Sequence, residues 1–134
     1  MTGIVQLISR IMLALIFILA GVGKITDPAG TMGYMQSAGV PSLLLWPTIA
    51  LELLGGIALV VGYKTRLVAF ALAAFCVLAA ALFHSNFADQ MQMILFLKNI
   101  AIAGGLLLLA VGGSTAYSMD NRRTTTDFFG TRQG

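Results

Sequence analysis

The stretch LLLWPTIALELLGGIALVVGY, residues 43–63, contains a single charged side chain, Glu52. At about 1.5 Å per residue, a helix of this length rises about 30 Å, the thickness of a bilayer's hydrocarbon core. Trp46 and Tyr63 stand near its two ends, where amphipathic rings suit the headgroup region, and Pro47 falls in the first turn, where its missing N–H does least harm. The segment reads as a transmembrane helix with a carboxylate near its middle.

Three further stretches repeat the pattern on either side. The run from Ile11 to Gly23 is short enough for a signal-peptide core, with Ala20-Gly21 near a cleavage site. Extended back through Ile8, Leu7, Val5 and Ile4 it reaches about 20 residues, the length of a retained span. Residues 67–87 and 93–113 form the third and fourth spans. Between the first two spans, Asp27-Pro28 and then Gly39 and Pro41 punctuate a short interfacial helix over residues 29–38. Lys64-Thr65-Arg66 is a tight turn that makes the second and third spans antiparallel neighbours. The expected fold is all-α, a polytopic four-transmembrane-helix bundle with a short interfacial helix between spans one and two. Residues 1–120 form the membrane domain. The tail from Ser114 onward is polar and expected to be mobile, with residues 121–134 a flexible cytoplasmic tail.

Composition agrees with this reading. Hydrophobic residues make up 58% of the 134 and charged residues only 10%, too few to cover a water-soluble domain of this size. The net charge of +3 comes from basic residues scattered singly or placed at span ends, which serves membrane topology and not nucleic-acid binding. Cys76 is the only cysteine, so one chain can form neither a disulfide nor a CxxC redox pair. Arg10, Lys64, Arg66, Arg122, Arg123 and Arg132 fall on one side of a four-span arrangement. Lys24 and Lys98 lie towards the other, with Asp27 and Asp89, so both termini are expected to be cytoplasmic.

Candidate chemistry collects in the outer half. Glu52 lies near mid-membrane and must face the bundle, be protonated or meet a cation. Lys98, five residues into the fourth span, is the expected partner, and Asn99 beside it can both donate and accept. His84 closes the third span and Lys24 the first. The expected catalytic pair is therefore Glu52 and Lys98, and the expected ligand-binding set is Lys24, Glu52, His84, Lys98 and Asn99. Plainer readings stay open beside these: a register-fixing pair for Glu52 and Lys98, outward snorkelling for Lys98, an interfacial anchor for Lys24, a helix-end polar residue for His84, a topogenic charge for Arg10, and ordinary packing for Cys76. A lone histidine supplies neither a bis-imidazole haem site nor a zinc site, so no metal is expected. Arg10, Ala14, Phe17, Gly21 and Lys24 recur at helical spacing and mark an inward face. The pairs Gly55-Gly56 and Gly104-Gly105 permit close helix approach or leave room for a flat ligand.

At these residues the sequence resembles the DoxX family of small bacterial four-helix membrane proteins. The matching pieces are FILAGVGKITDPAG through Lys24, AGVP at 38–41, LELLGG around Glu52, GYKTR to Arg66, LFHSNFADQ through His84 and FLKNIAIAGGLLLL around Lys98. The resemblance runs from Arg10 to Asp120. It implies a location in the bacterial cytoplasmic (inner) membrane and, through the family's thiosulfate:quinone oxidoreductase relatives, quinone-coupled redox work. No nicotinamide, flavin or iron–sulfur motif occurs in the chain, so a soluble or membrane redox partner is expected to exchange electrons with it. The leading expectation is a quinone- or quinol-interacting membrane subunit of an oxidoreductase system. The alternatives are a non-catalytic scaffold or assembly partner and a small transporter or proton conductor. Glycine-rich faces also suit a homo-oligomer.

Overall fold

The computed structural model describes residues 2–112 and 117–120. Among them the chain forms α1 (Thr2–Thr26), α2 (Pro28–Ser37), a 3-10 turn (Ser42–Leu44), α3 (Leu45–Val61), α4 (Thr65–Phe83) and α5 (Gln90–Gly112). Four of these units are long and apolar enough to cross a membrane: α1, the 3-10 turn continued by α3, α4 and α5. Together they make a four-helix membrane bundle with α2 as the short fifth helix. The third span stops at Phe83, earlier than the sequence suggests, because His84 caps it and the chain then turns through Ser85–Asp89.

Local chemistry sets the boundaries. Asp27 caps α2, its Oδ1 accepting from the Gly30 N–H at 3.0 Å, while Pro28 occupies the first turn, which can spare a donor. Gly39, with φ +75°, ends α2, and the Val40 N–H closes back on the Met35 carbonyl at 2.9 Å. Gly62, with φ +71°, does the same for α3.

The bundle is built from two tight pairs, α1 on α3 and α4 on α5, which meet mainly where α3 faces α4. Antiparallel α3 and α4 are neighbours as expected, though α4 packs more extensively on α5. The inward face of α1 buries Arg10, Ala14, Phe17 and Gly21, as its spacing predicts. A Cβ on Gly56 would stand 2.7 Å from the Ile18 side chain and 3.3 Å from the Ala14 carbonyl, so this glycine sets how closely α1 and α3 approach. Ala69, Ala73 and Ala80 line the buried face of α4. At the end of the bundle that holds the start of α1, the interior is filled by the fully buried Leu59, Leu72 and Leu106.

That end is tied together by Arg10, which is 1% exposed. Its Nη1 donates to the Leu59 carbonyl at 3.4 Å and its Nη2 to the Tyr117 carbonyl at 2.8 Å. A purely topogenic role for Arg10 does not account for this burial; the residue joins α1 to the end of α3 and to residues 117–120. The same short segment brings in Asp120, whose carboxylate accepts from the Lys64 and Thr65 N–H groups at 2.8 Å each and so caps α4. A side chain at Gly62 would collide with Arg10 and Ser118. Residues 117–120, expected to belong to a mobile tail, are thus anchored to the bundle, while 121–134 lie outside the described residues.

Candidate functional site

Glu52 sits seven residues into α3, about 10 Å along its axis, and is 2% exposed. Its cation is Lys24, not Lys98. Lys24 Nζ donates to Oε1 at 2.8 Å and to Oε2 at 3.1 Å, from a side chain that is 25% exposed. The pairing follows from the close approach of α1 and α3. Gly21, one turn before Lys24, takes the Leu53 side chain against its bare backbone, and Gly56, one turn after Glu52, receives Ile18.

The expected Glu52–Lys98 pair is not formed. Lys98 is exposed on the outside of α5. The reason is angular: Lys98 stands about 100° round α5 from Asn99, on the outward face it shares with the exposed Leu97, Ala101 and Leu108. Asn99 lies on the side of α5 continued by Ala103, Leu106 and Ala110, which are buried against the bundle.

Lys24, Glu52, His84 and Asn99, four of the five expected binding residues, line one cavity of about 780 Å³. Its wall is otherwise largely apolar, formed by Phe17, Leu51, Phe75, Leu78 and Ile102 among others. Asn99 Nδ2 donates to the Leu95 carbonyl of its own helix at 3.1 Å. His84 Nδ1 lies 2.8 Å from Gln92 Oε1; with that carbonyl oxygen accepting, the ring N–H is the donor. Gly55 meets the Leu72 side chain, Gly56 meets Ile18, and Gly104 faces nothing within 4 Å. These glycines serve packing or lie on the outside; none belongs to the cavity wall, where Gly23 and Gly30 appear instead.

Several wall residues escape a sequence reading. Helix α2 contributes Gly30, Thr31, Tyr34 and Met35, and the Tyr34 ring stacks on Phe83 of α4 with centroids 5.3 Å apart. The interfacial position of α2, at the same end as the close of α1 and α4, is the signal that could have found them. Cys76 also faces the cavity, beside Phe75. Among the described residues no group of three or more His, Cys, Asp or Glu side chains could hold a metal ion.

A family model described as DoxX matches residues 5–85. The chain belongs to the DoxX family. The match to the DoxX model spans Lys24, Glu52, Cys76 and His84. Among curated relatives, the chain is 49% identical over 114 residues to the inner membrane protein YqjF of Escherichia coli (strain K12), covering 85% of this chain and 88% of that one. It is 39% identical over 127 residues to the inner membrane protein YphA of the same organism, covering 89% and 90%. A shorter similarity, 34% over 62 residues and 46% of each chain, links it to CatD of Bacillus subtilis (strain 168), a candidate oxidoreductase by name. No solved structure matches.

Proposed function

We propose that this DoxX protein is a quinone-binding membrane component of an oxidoreductase system, with the headgroup seated beside Lys24 and Glu52. The observation that carries this reading is a buried ion pair set in the wall of a large, mainly apolar cavity. A cavity of about 780 Å³ is within the size range of small-molecule sites. Its makeup suits a flat ring with two carbonyl oxygens and an apolar tail. When bound, a quinone takes up two electrons and two protons to become the quinol. Lys24 holds a ring oxygen through an N–H not directed at Glu52, and Asn99 Oδ1 offers an acceptor to the reduced hydroxyl. Glu52 passes a proton to or from the ring. His84, hydrogen-bonded to Gln92 at the end of α4, connects the site with surface water. Electrons come from a partner protein. Lys98, exposed on α5, has no part in this site.

The same proposal sets the protein in the bacterial inner membrane, in keeping with the names of YqjF and YphA, with both termini in the cytoplasm. An ion path is the weaker reading, because fully buried Leu59, Leu72 and Leu106 fill the interior at the end of the bundle held by Arg10. Titration of the purified protein with a short-chain quinone, read by calorimetry, tests the assignment. Saturable binding is expected, with affinity reduced about tenfold or more by Glu52→Gln and by Lys24→Met, while Lys98→Met binds like the native protein. Absence of binding, or equal affinity in all variants, would remove the quinone reading.

A further inference from the structure

Among the described residues the Lys98 side chain engages in no hydrogen bond or ion pair, and it is exposed within a membrane span. It lies eight residues inside the start of α5, about 12 Å along the axis. A lysine stem spans about half of that distance, so from this position the ammonium does not reach the level of the start of α5. Beside it runs the outward face of α5, with Leu97, Ala101, Gly104, Leu108 and Val111 all exposed. Gly104 has open space where a Cβ would be, so another backbone can come close.

A cation facing hydrocarbon is costly and is relieved by a carboxylate at the same depth. A second copy of this chain does not supply one. Symmetric pairing about the membrane normal would set Lys98 against Lys98. Of the carboxylates on described residues, Glu52 is held by Lys24 and Asp27 caps α2. Asp89 lies nine residues earlier, about 13 Å along the axis, and Asp120 caps α4 at the opposite end. We infer that the α5 face bearing Lys98 docks a membrane-spanning helix of a different protein, one that carries an aspartate or glutamate in the same half of the bilayer. The inference is independent of what fills the cavity.

A photo-crosslinking residue at Ala101, in the full chain in its native membrane, tests this, with a probe at exposed Leu54 of α3 as the control. Mass spectrometry of the Ala101 adduct is expected to map it to a transmembrane segment of another protein containing a carboxylate, with no such product from Leu54. Lys98→Met should lower the yield about tenfold or more, Lys98→Arg should keep it, and Lys98→Glu should recover it when the partner's carboxylate is changed to lysine. Adducts to lipid alone, to a second copy or to a segment without a carboxylate would overturn the assignment, as would a yield unchanged by Lys98→Met.

Discussion

Two lysines in the cavity half of the bundle have opposite fates, and the difference lies in their neighbours. Lys24 lies one turn after Gly21, which lets α1 press on α3, so its ammonium reaches both oxygens of Glu52. Lys98 precedes the asparagine that takes the inward direction on α5. Removing one member of a buried pair leaves the other charge uncompensated, which costs about 3–5 kcal/mol, whereas replacing both by apolar groups is often neutral. Lys24→Met is therefore expected to destabilise the protein by about that amount, because Glu52 is 2% exposed and loses the cation that holds it. Glu52→Leu should cost less, since Lys24 is 25% exposed and can turn outward. The double variant Lys24→Met/Glu52→Leu should regain most of the loss. Equilibrium unfolding in mixed micelles measures all three, and simple additivity of the single changes would mean that the pair contributes no coupling.

At the scale of helices, the same residue type does unrelated things. Gly56 sits against Ile18 and the Ala14 carbonyl, so an added methyl must push α1 away from α3. Gly104 faces open space, and alanine there gains helix propensity without a clash. Gly56→Ala should cost about 1–3 kcal/mol in the same unfolding assay and loosen the Lys24–Glu52 pair one turn away. Gly104→Ala should be neutral or slightly stabilising. If both behave alike, the α1–α3 contact is not set by Gly56. In sequence the two glycine pairs are alike; what each glycine meets is decided by the neighbouring helix, since Gly105 faces the Leu13 side chain while Gly104 faces nothing within 4 Å.

For the whole molecule, the bundle has one end tied by Arg10, Asp120 and residues 117–120, and another that opens into the cavity under α2. The proposed orientation sets the first end, with Lys64 and Arg66, in the cytoplasm on the positive-inside bias. Single cysteines in a Cys76→Ala background test this. Ser85→Cys, in the loop between α4 and α5, should react with an impermeant maleimide on spheroplasts, and Thr2→Cys only after permeabilisation. The reverse pattern would invert the topology and place the cavity mouth on the cytoplasmic side.

Sequence alone determined the four apolar spans, the interfacial helix after Asp27, the inward stripe of α1 and the gathering of polar groups in one half of the bundle. These are local properties: span length, capping chemistry and the repeat of side chains around a helix. It also pointed to Lys24, His84 and Asn99 beside Glu52, all of which line the cavity. Only the tertiary structure decided that Glu52 pairs with Lys24, that Lys98 faces outward, and that Arg10 and Asp120 tie residues 117–120 to the bundle. Each depends on how one helix is rotated and how closely it approaches another, and that is set by the packing of side chains distant in sequence.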